Sequence, residues 1–229
     1  MKRNTILMAT MAVATLGTTT QSCVALATSS VGLAILKQVL LGGITKGLNI
    51  FSDKNSFLAN SLIEAAMPQQ LKSINNTLQN IGLSHLVQKE KEYIAQAAAF
   101  TVETSRPILV NAVNSLTAED AAKIVQGGSG AATQILREKT SQQLMDALAP
   151  KVDAKLNEFG IVQSLNSALK GSNILGSILG NSNNASFTGG ISRLASEQMV
   201  NGLFNIIQNH EQQNSAQIMN SLNTLNTAK

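Results

Sequence analysis

The 229-residue chain has one cysteine, two histidines and no tryptophan, and only 3% of its residues are aromatic. One cysteine excludes a disulfide framework and a cysteine-rich metal site, and two distant histidines argue against a histidine-based metal cluster. Charged residues are also few, at 13%, whereas the chain contains 22 Asn and 17 Gln, so that amides must solvate much of its surface. We therefore expect no metal and no other cofactor.

The formal charge is small as well. It is +4 over the whole chain and falls to +2 if Lys2 and Arg3 are removed with the leader described below. So weak a charge gives no sign of a nucleic-acid-binding surface, and we expect no nucleic-acid partner. Because 44% of the residues are hydrophobic but few are aromatic, the core must consist of Leu, Ile, Val and Ala, which favours helices over a β-sandwich.

The first 22 residues have the form of a secretory signal peptide. Lys2 and Arg3 give a cationic start, an apolar stretch runs from Ile6 to Leu16, and small and polar residues follow it. The apolar stretch is too short to span a bilayer, which takes about 20 residues. Residues 1–22 are therefore predicted to be a signal peptide that is removed.

Cys23, the only thiol, follows the small residue Ser22. This arrangement resembles the acylation site of bacterial lipoproteins, although Thr20 stands where Leu is preferred. The resemblance implies acyl chains on Cys23 that anchor the protein to a membrane, and Val24 in place of Asp implies transport to the outer membrane. We expect a lipid-anchored protein that faces the periplasm; the alternative is an ordinary signal peptide that is cleaved elsewhere.

Composition and apolar spacing divide the rest of the chain. Residues 23–31 are predicted to be a lipidated tether and 32–211 a single helical domain, in which the Gly/Ser/Asn-rich stretch 171–190 forms a flexible loop. Residues 212–229 are predicted to be a polar tail, either frayed or helical, since Ile218, Leu222 and Leu225 follow one another at helical steps. Nothing indicates a sheet, so the predicted fold is all-α, an irregular array of about 7–9 helices.

Three segments carry more specific expectations. The stretch up to Ile50 contains several glycines and is predicted to be a weak helix that either packs in the core or lies along the membrane. Pro107 and Pro150 are expected to interrupt or restart helices. The charged run Lys89–Glu92 is expected to face solvent.

The segment Leu116–Gly127 (LTAEDAAKIVQG), followed by Ala131–Thr140 (AATQILREKT), resembles the signature of the DUF4197 proteins, a bacterial family of unknown function. The resemblance extends over about residues 57–211. Ile135 stands where the family usually has an aromatic residue, and His210-Glu211 stands where it has a paired acidic motif. The resemblance implies a fold and an envelope location, but no reaction.

One polar cluster is a candidate site. Thr133, Arg137 and Thr140 lie within about 60° on one helix face, and Asp120, in a capping box with Thr117, is expected within reach of it. In one interpretation, Arg137 bonds to Asp120 and to carbonyls at the Gly127-Gly128 corner as a structural tie. In the other, the cluster binds an anion or a carboxylate.

The remaining motifs do not combine into a catalytic set. His210 begins a near match to HExxH, but Asn214 replaces the second histidine, and the SxxK match at Ser167–Lys170 lacks its partner motifs. We therefore predict a non-enzymatic interaction or scaffold module with a protein partner in the envelope. The alternative is a carrier or sensor that binds a small amphipathic or anionic ligand in a closed pocket larger than about 300 Å³.

Overall fold

The structure, a computed structural model, describes residues 29–169 and 185–227. These residues form one all-α domain of nine helices, without strands, which confirms the predicted fold class. In chain order the helices are α1 (Ser30–Ser52), α2 (Lys54–Leu58), α3 (Ser61–Ala65), α4 (Gln69–Asn80), α5 (Ser84–Asn114), α6 (Ala118–Gly127), α7 (Ala131–Glu158), α8 (Ile161–Leu169) and α9 (Ala185–Thr227).

Four long helices enclose the core. Helix α9 packs against α1 and α7, and α5 packs against the same two helices from the other side. The shorter helices cover this frame: α2 and α4 pack on α5, α3 on α9, α6 on α7, and α8 on both α5 and α7. The interior is mostly aliphatic, as the composition predicted, and among its largest fully buried side chains are Leu40, Ile44, Leu71, Ile94, Leu136, Phe51 and Phe204.

Helix α1 is a core element, and its glycines are the reason for its close packing. A Cβ added to Gly43 would lie 3.2 Å from Ile207 Cα, and one added to Gly47 would lie 2.5 Å from Leu203 Cδ1. Each glycine lowers the stability of the helix by about 1 kcal/mol relative to alanine, but the absence of a side chain lets α9 approach closely. By length and composition this helix is also apolar enough to cross a membrane. Its buried face instead packs within the domain.

Both interior prolines lie within continuous helices, so the expected interruptions are wrong. Pro107 lies inside α5 and Pro150 inside α7. A proline inside a helix costs about 3 kcal/mol, because a hydrogen bond is lost and the ring crowds the preceding turn. Here both flanks of each proline are buried: Thr101 and Leu109 in α5, and Leu148 and Val152 in α7. Packing of the residues before and after each proline keeps the helix continuous.

Other expectations need correction or lie outside the described residues. Residues 185–190, predicted to belong to a flexible loop, are the start of α9, and that same helix continues to Thr227 through most of the predicted tail. Glu90, in the run expected to face solvent, is only 1% exposed. The signal peptide, Cys23, the tether up to residue 28, and residues 170–184 lie outside the described part of the chain.

Candidate functional site

The four residues predicted to form a polar cluster do not bond to one another. Thr133 and Thr140 are buried on α7, and Arg137 lies half-buried between them. Asp120 is held at the start of α6, where it forms the predicted capping box with Thr117. Among the described residues, no hydrogen bond or ion pair joins Arg137 to Asp120. The predicted tie between these two side chains is therefore wrong.

Lys139 takes the position that was predicted for Arg137. Its Nζ lies 3.2 Å from Asp120 Oδ2. Burial alone would raise the pKa of Asp120, but hydrogen bonds from Thr117 and Lys139 outweigh it and hold this pKa below its usual value. Two residues correspond to about 200° of rotation around a helix, so Lys139 and Arg137 point to nearly opposite sides of α7. Helix α6 lies on the Lys139 side.

Arg137 ties α7 to α9 instead. Its Nη1 donates a hydrogen bond to Asn201 Oδ1 at 2.9 Å, and its guanidinium carbon lies 4.7 Å from the centre of the Phe204 ring. Burial lowers the pKa of Arg137. A cation placed over an aromatic ring contributes about 0.5–2 kcal/mol, depending on how far it is desolvated. The arginine is thus a structural tie, but to a different helix from the one predicted.

Glu211 of α9 binds the N-terminus of α7. Its Oε1 accepts hydrogen bonds from the backbone N–H groups of Gly130 and Ala132, at 3.0 and 3.1 Å. Its Oε2 accepts from Thr133 N at 2.8 Å and from Thr133 Oγ1 at 2.6 Å. Glu211 is only 4% exposed, so its charge interacts strongly with the N–H groups at the start of α7, which have no acceptor within their own helix.

The backbone before α7 allows this contact. Gly130 has φ +92°, in the left-handed region that favours glycine, and a Cβ there would lie 2.7 Å from Gln208 Nε2.

Thr140, the remaining predicted residue, donates its hydroxyl hydrogen to Leu136 O at 2.7 Å, within its own helix. Glu211 was not among the predicted site residues. A detectable signal was its spacing from Phe204 and Ile207, which places an acidic residue on the apolar face of α9.

The comparisons with known proteins identify the family. The sequence profile of the family described as "Protein of unknown function (DUF4197)" matches residues 27–225. The chain belongs to the DUF4197 family. No curated protein and no solved structure matches it. The match is wider than the predicted resemblance, because it also includes α1 and continues along α9 from residue 212 to residue 225.

The DUF4197 signature has a structural explanation in this geometry. Its Ala-Ala-Thr run is the first turn of α7, which the Glu211 carboxylate binds. Its arginine bonds to α9, and its lysine pairs with the acidic residue of α6. The signature residues therefore join three helices to one another.

An open groove lies beside this junction in the DUF4197 domain. It has a volume of about 650 Å³, and its lining includes Met145 and Asp146 of α7 and Arg193, Glu197 and Asn201 of α9. The Arg137–Asn201 bond thus holds one wall of the groove in place. Because the groove is open to solvent, it is not the closed pocket that the carrier hypothesis requires.

Proposed function

We propose that this DUF4197 protein is a non-enzymatic interaction module, attached to the periplasmic face of the outer membrane by acyl chains on Cys23. The observation that carries the attachment is the packing of α1. Withdrawing α1 into a bilayer would remove Leu40, Ile44 and Leu48 from the core, and each buried aliphatic side chain contributes about 1.5–3 kcal/mol. A helix needed by the core is a poor anchor, which supports attachment upstream of it.

The short connection to α1 supports a fixed orientation at the membrane. Six residues separate Cys23 from Ser30, so the start of α1 is at most about 25 Å from the acylated cysteine. Val31 in that turn is 49% exposed, and Leu33 and Ile35 are partly exposed beside it. We infer that this apolar end of α1 rests against the lipid headgroups.

The interaction role is supported by the bonds that the polar side chains of the signature form. The signature side chains form hydrogen bonds and ion pairs inside the domain, and this favours a structural role for them over a reactive one. The groove between α7 and α9 then offers the outward surface for a protein partner. It combines apolar side chains such as Met145 with charges of both signs, as protein interfaces do.

The attachment is tested with Cys23→Ala and with Thr28→Ala as the matched control in the same segment. Intact mass measurement of the wild type and the control should show a chain that begins at Cys23 and carries acyl chains, recovered with the outer membrane. Cys23→Ala should give an unacylated precursor whose helical circular dichroism per residue is unchanged. An unmodified Cys23 thiol in the mature wild type would refute the attachment.

The interaction is tested by site-specific photocrosslinking in intact cells. A photoreactive residue at Gln142, exposed in the groove, should give a discrete protein adduct, whereas the same residue at Gln88, exposed on α5, should not. Arg193→Glu should weaken the Gln142 adduct without changing the thermal unfolding of the domain. Equal adducts at both positions, or none at Gln142, would contradict an interaction through the groove.

A further inference from the structure

Asn75 of α4 and Glu90 of α5 bond to each other, and each keeps one unpaired oxygen. Asn75 Nδ2 donates a hydrogen bond to Glu90 Oε2 at 3.2 Å. Asn75 Oδ1 and Glu90 Oε1 have no hydrogen-bond partner within the described residues, although the two side chains are only 5% and 1% exposed. Buried polar atoms are nearly always paired, so two unpaired atoms at one contact call for an explanation.

A proton on Glu90 would pair both oxygen atoms at once. A carboxamide and a protonated carboxyl are flat, forked groups of similar shape, and each has one donor beside one acceptor, so they can meet edge to edge through two parallel hydrogen bonds. The first of these bonds is present, from Asn75 Nδ2 to Glu90 Oε2. The second would join the two atoms that are otherwise unpaired. The other hydrogen of Asn75 Nδ2 faces Met67 Sδ at 3.8 Å, so this orientation uses both donors of the amide.

The surroundings favour the protonated carboxyl. Burial raises the pKa of Glu90 from 4.5 to about 7, because it outweighs the opposing effects of the Asn75 hydrogen bond and of Lys91. The charge of Glu64 on α3 adds to the rise. Lys91 is itself paired with Glu64 at 2.9 Å, so this lysine does not form an ion pair with Glu90.

The other charged groups near the pair are bonded elsewhere or face solvent. The buried residues of α1, α2, α4, α7 and α8, all packed against α5, include no charged side chain. Lys54 of α2 is paired with Glu92 of α5 at 3.1 Å, and Lys72 of α4 lines an open cleft of about 460 Å³. From α9, the neutral Gln198 lines a separate hollow of about 20 Å³, which is room for about one water molecule.

Helix α4 is the element that this contact joins to α5. It has 12 residues, and Asn75 is the one polar residue on its buried face, beside Leu71, Ile74 and Leu78. The helix also forms one wall of the open cleft, which Asn75 lines. An ionised Glu90 would be a buried charge with a single hydrogen bond from a neutral amide, and such a charge is costly unless water reaches it. The cleft is the nearest route for that water.

We propose that Glu90 and Asn75 form a proton-dependent contact between α4 and α5, in which protonated Glu90 donates from Oε1 to Asn75 Oδ1 while Asn75 Nδ2 donates to Glu90 Oε2. When the proton passes to solvent, the carboxylate loses one of these two bonds and is hydrated from the cleft, and α4 separates from α5. The separation widens the cleft. This contact is independent of the proposed membrane attachment and of the groove between α7 and α9.

Infrared spectroscopy of the full-length protein in detergent micelles tests the pair. The difference between spectra at pH 6 and pH 8 should contain the carbonyl band of a protonated carboxylic acid, and Glu90→Gln should remove this band. Asn75→Leu, at similar volume, should move the band to higher frequency, because hydrogen bonds weaken the carbonyl bond. Glu92→Gln is the matched control and should leave the band unchanged. Absence of the band from the wild type, or an unchanged frequency in Asn75→Leu, would overturn the pair.

Hydrogen exchange tests the release of α4. After correction for intrinsic exchange rates, protection of the α4 amides in the wild type should fall about tenfold between pH 6 and pH 8, as the pKa shift of Glu90 requires. Low urea concentrations should not change this exchange, since the opening is local, whereas exchange at buried positions of α7 such as Leu144 should accelerate with urea. Equal protection of α4 at both pH values, or the same urea dependence as Leu144, would refute the release.

Glu90→Gln also tests the release. Its side-chain amide can donate to Asn75 Oδ1 as the protonated carboxyl does, but it does not ionise. Protection of α4 in this variant should therefore be the same at pH 6 and pH 8, whereas Glu92→Gln should show the wild-type dependence. A tenfold fall that persists in folded Glu90→Gln would assign the pH dependence to another group. If Glu90→Gln does not fold, the wild-type infrared band and the wild-type exchange still decide the proposal.

Discussion

The buried carboxyl of Glu90 predicts how stability changes with pH. Burial raises its pKa from 4.5 to about 7, against smaller opposing effects of the Asn75 hydrogen bond and of Lys91, and Glu64 adds to the rise. Between these two values the folded protein holds a proton that the unfolded chain has released. The free energy of unfolding therefore falls as pH rises from about 4.5 to about 7, and stays low above it.

Glu90→Gln removes this titration, and the magnitude follows from the shift. A pKa that moves from 4.5 to about 7, at about 1.4 kcal/mol per unit, corresponds to roughly 3 kcal/mol. Relative to the wild type, the variant should gain up to about that amount between pH 5 and pH 8. The gain should be small at pH 5, where the folded wild type is already neutral at this position.

Urea unfolding followed by circular dichroism at pH 5, 6, 7 and 8 measures the difference between the two proteins. Glu92→Gln is the control, because hydrogen bonds from Gln88 and Lys54 lower the pKa of Glu92. The ionised carboxylate of Glu92 therefore stabilises the folded protein. Glu92→Gln should lose a little stability near neutral pH. A constant difference between Glu90→Gln and the wild type over the whole range would show that burial does not shift this carboxyl.

The remaining predictions concern the helix contacts. Glu211→Ala should lower the free energy of unfolding by about 3 kcal/mol or more, because it leaves buried N–H groups at the start of α7 without an acceptor. Gly43→Ala should cost about 1–3 kcal/mol, since the added Cβ meets the α9 backbone at 3.2 Å. Double-mutant cycles should give a coupling of about 0.5 kcal/mol or more for Arg137 with Asn201, and close to zero for Arg137 with Asp120.

Matched controls are available for the first two variants. Gln213→Ala changes an exposed residue of α9 close to Glu211, and Thr45→Ala changes an exposed residue of α1 near Gly43; urea unfolding should give both the wild-type stability. Losses in the controls as large as those in the variants would show that the effects do not come from the Glu211 and Gly43 contacts. A coupling between Arg137 and Asp120 as large as that between Arg137 and Asn201 would contradict the described geometry.

Several features of the fold were predictable because their causes are local. The capping box of Thr117 and Asp120 needs only two residues at a fixed spacing, and it forms as predicted. The apolar face of α9 was equally predictable from the helical spacing of its apolar residues. The prolines were misjudged, because propensity measures an isolated helix and these segments are packed along both flanks. Propensity likewise left open whether the glycine-containing α1 packs in the core or lies along the membrane, and its packing against α9 places it in the core.

The candidate site was only partly predictable. Sequence spacing placed Thr133, Arg137 and Thr140 on one face of α7, and that face is indeed directed inward. The partners of Arg137 and Thr133 lie on α9, at separations of 64 and 78 residues, and helical periodicity does not specify which distant helix packs there. The interpretation therefore chose Asp120, an acidic residue of the preceding predicted helix.

By itself, the sequence determined the helical class and the aliphatic core, because both follow from composition and from spacing within single helices. The family was indicated by the resemblance of one signature segment. Only the tertiary structure decided which polar groups lose contact with water. Glu90 sits in a run of charges that does not signal burial, and the spacing that places Glu211 on the apolar face of α9 does not show which helix covers it. The desolvation of a carboxyl depends on the helices that close over it, and those helices come from distant parts of the chain.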